Sequence, residues 1–240
     1  MELNICHMYP DLLNVYGDVG NVLILKYRAE HRGIKTNIFN VSIGDKFDAK
    51  KYDIVFFGGG QDYEQSIVSK DLNENKANSI IEYIESNKVF LSICGGYQLL
   101  GKFYVTPDGK KIKGLNALDI YTTSSEKRFI GNTVIYNKEF KETYVGFENH
   151  SGKTYIGSLR PLGKVLSGFG NNGEDHSEGC IYKNTFCTYF HGSLLSKNPE
   201  LADRLISLAL KNKYGNLSLA SLDDTYELKA KEFIIKRELI

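Results

Sequence analysis

The first hundred residues alternate between short, continuously apolar runs and longer stretches with helical spacing. Leu3 to Met8 reads as a buried strand, and Val22, Leu25 and Ala29 recur at a helical period until Gly33 stops the helix. Ile34 to Val41 alternates as a strand, while Asp53 to Phe57 is apolar after its first residue and ends abruptly in Gly58-Gly59-Gly60. A helix over about 71–86 carries Ile80, Ile81 and Ile84 on one side, and Val89 to Ile93 runs directly into Cys94-Gly95-Gly96. Continuous rather than alternating apolarity marks parallel strands covered on both faces. The pattern therefore predicts an α/β fold with a doubly wound, mostly parallel sheet and flanking helices.

The middle third breaks this rhythm. Segments 117–124, 129–136, 143–149, 153–157 and 164–169 read as short β-like pieces between turn residues, so extra antiparallel strands are expected there. Cys180 to Tyr182 and Thr185 to Phe190 form a predicted hairpin that turns at Lys183-Asn184. Asn198 is placed to cap a helix with Pro199 in its first position and Leu201, Leu205 and Leu208 on one face, ending at Gly215. Ser221-Leu222-Asp223-Asp224 then opens a charged helix, expected to be solvated, with partner docking as the alternative. The implied organisation is one domain over residues 1–215 with a helical extension over 216–240.

Composition narrows the setting. Lys and Arg number 30 against 29 Asp and Glu, and a formal charge of +1 makes no electrostatic case for nucleic acid. No apolar run approaches the roughly 18 residues that a membrane span needs, and Met1-Glu2-Leu3-Asn4 begins no export signal. Cys6, Cys94, Cys180 and Cys187 include no C-x-x-C pair and are expected to be free thiols in a cytoplasmic protein. His7, His31, His150 and His176 lack metal-ligand spacing, so no metal is expected and His150 reads as structural. Arg28, Arg32 and Arg204 fall on predicted helices and read as solvated faces.

Candidate chemistry centres on Cys94. A buried strand, a cysteine, two glycines and a helix form a nucleophile elbow, in which small neighbours admit a strained backbone and the helix start offers N–H groups to the sulfur. Read alone, Cys94 is equally a small core residue before a glycine-rich turn. Two features favour chemistry. Gly58-Gly59-Gly60-Gln61-Asp62 ends a neighbouring strand at the same sheet edge, where backbone amides of that turn and of Gly95 can meet an oxyanion. His191, at the end of an apolar strand far away in sequence, is the type of base such a thiol needs. Gly96-x4-Gly101-Lys102 approaches a phosphate-loop spacing, but Phe103 stands where a magnesium-binding hydroxyl is required.

Cys94-Gly95-Gly96-Tyr97-Gln98 resembles the C-x-G-x-Q nucleophile motif of the class I (triad) glutamine amidotransferases. The Gly58–Asp62 segment is similar to their oxyanion strand and Tyr189-Phe190-His191-Gly192 to their histidine strand, in matching order over residues 1 to about 200. Tyr16-Gly17-Asp18-Val19-Gly20-Asn21, Gly146-Phe147-Glu148-Asn149-His150-Ser151-Gly152 and His191-Gly192-Ser193-Leu194-Leu195 resemble the cobyric acid synthase-like branch. Within it, the short stand-alone chain and the Gly146–His150 segment look like glutaminase subunits of lipid II isoglutaminyl synthases.

The resemblance implies a flavodoxin-like enzyme that hydrolyses L-glutamine, with Cys94 and His191 catalytic and Gly60 and Gly95 forming the oxyanion hole. It implies that Arg128 binds the substrate α-carboxylate, a role sequence alone would not separate from Arg160, and that Gln98 lines the pocket. It further implies no cofactor in this chain and a heterodimer with a Mur-ligase-like synthase that carries ATP and magnesium. That partner would use the ammonia to amidate the D-glutamate of lipid II. A corrinoid-amidating glutaminase and a non-catalytic binding subunit are the alternatives. The pattern departs at Ser193, where most class I enzymes have a glutamate two residues after the histidine. A carboxylate from the partner is the expected orienting group for His191. A backbone carbonyl or another acid of this chain would also serve.

Overall fold

The structure, a computed structural model describing residues Met1–Ile240, follows the expected alternation through its first half. β1 (Glu2–Met8) leads through a loop with a 3-10 turn at Val15–Gly17 into α1 (Val19–Glu30), then β2 (Lys35–Val41) and β3 (Ile54–Phe57). Two helices follow, α2 (Asp62–Asp71) and α3 (Ala77–Glu85), before β4 (Val89–Ile93) and the short α4 (Gly95–Leu100). The middle of the chain supplies β5 (Phe103–Val105), β6 (Lys111–Lys113), β7 (Tyr121–Asn137), β8 (Glu142–Tyr155) and β9 (Gly163–Ser167). Then come β10 (Ser177–Glu178), β11 (Cys180–Tyr182), β12 (Thr185–Thr188), β13 (Phe190–His191), α5 (Pro199–Tyr214) and α6 (Thr225–Leu239).

The first sheet has the order β11-β12-β4-β3-β1-β2 and is parallel except for the β11 edge. Its parallel strands alternate side chains between two apolar layers, as a pleat of period two requires. Leu3, Ile5, Ile54, Phe56, Val89 and Leu91 pack with α1 and α5 on one face. Cys6, Met8, Val55, Phe57 and Phe90 pack with α2 and α3 on the other. In-register pairing sets Phe57 beside Ser92 and Ile93 beside Thr188. The carboxyl ends of β3, β4 and β12 therefore release Gly58, Cys94 and Tyr189 side by side.

The second sheet is built around a long β7–β8 hairpin, flanked by β9 and β10 on one side and by β5 and β6 on another. Four of the short segments expected from sequence thus merge into two long strands. The apparent break at 125–128 is a bulge, since Ser124 pairs with Gly152 and Phe129 with His150, leaving four residues opposite Ser151 alone. The Lys183-Asn184 hairpin forms as expected, with Lys183 at φ 52°. The chain then changes sheets: after Thr188 it breaks at Tyr189, and Phe190-His191 pairs with Glu148-Phe147 of β8. Glu178 pins this kink, accepting hydrogen bonds from Tyr189 N (2.7 Å) and Thr188 Oγ1 (2.9 Å). Burial pushes its carboxyl up to about 8.

Several local expectations change. The helix expected over 71–86 starts earlier, at Asp62, and passes through a π turn at Leu72–Lys76. Asp71 anchors that turn, pairing with buried Lys76 and accepting from Tyr9 Oη at 2.6 Å. Asn198 does not cap α5 through its side chain; it instead bonds Val145 N (2.9 Å) and Val145 O (2.8 Å) of β8. Arg28 and Arg32 are not solvated. Arg28 bridges Asp203 (2.7 Å) and Asp224 (2.6 Å), and Arg32 joins Asp203 (2.6 Å), tying α1 to α5 and to the start of α6. Arg204 pairs with Glu142 at 2.6 Å and lies over the Phe140 ring.

His7 is buried on β1, edge-on to Phe56 at 5.3 Å, with no partner at Nε2. Burial pushes its imidazole down to about 4, against a smaller opposing pull from Asp18 and Asp11. A depressed folded value means the neutral ring stabilises the fold above pH 6.5, a contribution lost as pH falls through 4. His7→Phe should therefore flatten the acid side of the stability profile by up to about 3 kcal/mol. Urea titrations of both proteins between these pH values test this, and parallel profiles would refute it.

Candidate active site

Cys94 stands between β4 and α4 with φ 48° and ψ −107°, a conformation that costs a non-glycine residue of order 1–3 kcal/mol. Neighbouring backbone holds it there: Cys94 N donates to Thr188 O (2.9 Å) and Gly96 N to Gly58 O (3.1 Å). A Cβ on Gly96 would lie 2.8 Å from the carbonyl oxygens of both Phe57 and Gly58. Only glycine fits between this turn and the next strand.

His191 meets Cys94 from the second sheet. A Cβ on Gly59 would sit 2.7 Å from His191 Cε1, 3.2 Å from Asp18 Oδ2 and 3.3 Å from Cys94 Cβ, so the three side chains surround one glycine. His191 Nδ1 lies 3.1 Å from Asp18 Oδ1. A carboxylate accepts, so Nδ1 carries the proton and Nε2, which has no hydrogen-bond partner of its own, is left free to act on Cys94. Asp18 is itself fixed by Gly59 N, which donates to Oδ2 at 2.8 Å. Of the orienting groups the sequence left open, an acid of this chain is the one seen against Nδ1: Asp18, buried in the loop before α1. Ser193 packs against Gly20 at the start of α1 in a left-handed conformation, φ 50°.

The remaining predicted residues converge on the same place. Gly60 N–H engages no backbone or side-chain acceptor, and Gly95 is the first residue of α4, where the helix offers its N–H no carbonyl. A Cβ on Gly95 would lie 2.9 Å from Gly60 N, so the two residues are in contact. A cavity of about 520 Å³ opens over them, bordered by Cys94, His191, Gln98, Arg128, Asp62 and Tyr16 among others. Gln98 Nε2 donates to Tyr189 Oη at 3.0 Å. Arg128 projects from the β7 bulge and donates through Nε to Asn149 Oδ1 (2.7 Å), leaving the end of the guanidinium free. Arg160 instead pairs with exposed Glu139, away from the cavity.

Sequence reasoning missed several contributors. Asn149 Nδ2 donates to Tyr16 Oη (2.6 Å), whose ring lies edge-on to His191 at 4.9 Å. His150 is part of the lining, stacked on Tyr189 at 3.6 Å with Nδ1 on Gly152 O at 2.8 Å. Glu148 accepts from Phe169 N (2.7 Å) and Gly170 N (2.9 Å), and Gly146 makes room for the Phe190 ring. The Gly146–His150 segment was recognisable as a motif, but nothing in its spacing discloses these contacts. Asp18 had the one available signal, an acid in a glycine-flanked loop at the carboxyl edge of β1.

A thiol on a strained strand–helix turn, an imidazole with its outer nitrogen on a carboxylate, and two unengaged N–H groups make up a cysteine-dependent acyl-transfer site on a doubly wound sheet. Residues 4–199 match the CobB/CobQ-like glutamine amidotransferase domain, and the chain belongs to that family. It is 51% identical over 93% of its length to the glutamine-hydrolyzing lipid II isoglutaminyl synthase subunit GatD of Streptococcus pneumoniae, covering 86% of that protein. The GatD subunit of Staphylococcus aureus is 43% identical over 98% of the chain and 96% of its own length. A probable cobyric acid synthase of Methanococcus maripaludis is 37% identical over 61% of the chain, which is 31% of that protein. Among solved structures, PurLQS of Thermotoga maritima aligns with a TM-score of 0.55 at 17% identity, covering 88% of this chain and 99% of that one. A glutamine amidotransferase of the same organism aligns at 0.55 and 16%, covering 98% and 92%. These two bear out the fold. No helix is long and apolar enough to cross a membrane.

Burial alone would lower the His191 imidazole, but the charge on Cys94 and the bond to Asp18 outweigh it and raise the ring to about 10. A raised folded value means the imidazolium stabilises the fold fully below pH 6.5 and loses that contribution as pH rises through 10. Cys94→Ala removes the largest upward influence, so the ring should then titrate well below 10. Nuclear magnetic resonance of the His191 ring in both proteins measures this; an unchanged titration would show that the thiol and ring do not interact.

Proposed function

We propose that this chain is the glutaminase subunit of a lipid II isoglutaminyl synthase. The observation that carries the reading is the convergence of Cys94, His191 and Asp18 around Gly59, beneath a cavity bordered by Arg128. Near-full-length similarity to two GatD subunits supports the choice of acceptor over corrinoid amidation, for which the similar proteins overlap the chain less completely.

In this reading the α-carboxylate of free glutamine meets the Arg128 guanidinium, and Gln98, anchored by Tyr189, borders the side chain. Cys94, as thiolate, adds to the δ-carbon of the side-chain amide, and the resulting oxyanion accepts from Gly60 and Gly95 N–H. His191 protonates the leaving nitrogen, which departs as ammonia as the γ-glutamyl thioester forms. The ring, now neutral at Nε2, takes a proton from water as that water attacks the thioester, releasing glutamate and returning the thiol. Asp18 holds the ring in the productive tautomer throughout. Ammonia released into bulk water is trapped as ammonium. A cytoplasmic heterodimer with a Mur-ligase-like synthase solves that problem. The partner, using ATP and magnesium, amidates the D-glutamate of lipid II to D-isoglutamine.

With the synthase present, Cys94→Ala should abolish glutamine-dependent ammonia release. Asp18→Asn should lower kcat by about 10²–10⁴-fold with little change in KM. Arg128→Ala should raise KM by about 10–100-fold, the loss of a charged hydrogen-bond pair. Steady-state assays decide each point. Ammonia release that survives Cys94→Ala would sink the reading, and a wild-type rate in Asp18→Asn would remove Asp18 from it.

A further inference from the structure

Gln65, one turn into α2, is 2% exposed, borders the cavity and has no part in the chemistry described above. Its Nε2 donates to Gly60 O at 3.1 Å. A Cβ on Gly95 would lie 3.0 Å from both Cδ and Nε2 of Gln65, as well as 2.9 Å from Gly60 N. The carboxamide is therefore wedged between the two residues whose N–H groups face the developing oxyanion. A carbonyl only accepts, so the bond to Gly60 O fixes which end of the amide is nitrogen. Gln65 Oε1 is then buried without any partner.

A buried acceptor left unpaired costs about 1–3 kcal/mol, so an apolar side chain of the same length would suit stability better. What the amide adds is one directed bond to a backbone that is otherwise free to turn. Gly58 is held by Gly96 N, and Gly59 by Asp18 and Val15 N. Gly60 makes its only protein hydrogen bond to Gln65. We propose that Gln65 is a positioning residue for the oxyanion hole, locking Gly60 so that its N–H stands beside that of Gly95. The proposal rests on the glutaminase reading and adds to it a residue that acts on the oxyanion through the Gly60 backbone.

The test compares wild type, Gln65→Met and Gln65→Glu, each as the full chain with the synthase partner. Gln65→Met keeps the volume and removes the orphaned oxygen; Gln65→Glu sets a carboxylate against the Gly60 carbonyl. Both should lose about 10–100-fold in kcat, less than the 10²–10³ for deleting an oxyanion donor outright, at an unchanged KM for glutamine. Gln65→Met should keep or raise the wild-type Tm. Alkylation of Cys94 by iodoacetamide, a displacement that forms no oxyanion, should proceed at the wild-type rate in both. Wild-type kcat in both variants would overturn the proposal, and so would a kcat loss matched by slower alkylation or by a fall in Tm in both. A wild-type complex with no Cys94-dependent ammonia release would instead overturn the glutaminase reading itself.

Discussion

The close approach of glycine backbone at the carboxyl ends of adjacent parallel strands is the constraint on which the site depends. A side chain at Gly59 would meet His191 and Cys94, one at Gly95 would meet Gly60, and one at Gly96 would meet the Phe57 and Gly58 carbonyls. Parallel pairing in register brings these turns to one edge, and their lack of side chains lets them close. The strained backbone at Cys94 persists because its surroundings leave it no alternative. The sheet is thus the frame that makes the cysteine both accessible and rigid.

The same edge explains how the chain manages without a glutamate after its histidine. β1 lies next to β3, so the loop leaving β1 passes over the Gly58–Gly60 turn, and Asp18 divides its two oxygens between Gly59 N and His191 Nδ1. One carboxylate orders both the Gly58–Gly60 turn and the imidazole. Ser193, packed tightly on Gly20, belongs to this arrangement, since the contact holds the start of α1 against the histidine segment. The second sheet completes the site from the opposite side, delivering His191 on β13 and Arg128 from the β7 bulge.

Much of this was legible in the sequence, for identifiable reasons. Continuous apolar runs that end in glycines marked β3 and β4, which set Gly60 and Cys94 at the carboxyl edge of the parallel sheet, and His191 stood out at the end of an apolar strand. Contacts between distant segments were not legible. Asp18 lies 173 positions from His191, and no local periodicity links them. The β7–β8 hairpin read as fragments because its bulge has the composition of a turn, and only pairing reveals it as a strand. Arg28 and Arg32 read as solvent-facing because helical period shows which face a residue occupies but not that Asp203 and Asp224 await it there. Gln65 lies on a helix turn that sequence left unassigned, and its importance comes from a single bond to Gly60.

The central claim is that Cys94 forms a covalent γ-glutamyl intermediate beside His191. It is tested most directly by quenching the enzyme in acid during turnover with glutamine and mapping the peptides by mass spectrometry. The account predicts one glutamyl group on the peptide containing Cys94, absent without glutamine and absent in Cys94→Ala. Turnover with no adduct on Cys94, or with an adduct on Cys6, Cys180 or Cys187 instead, would contradict it.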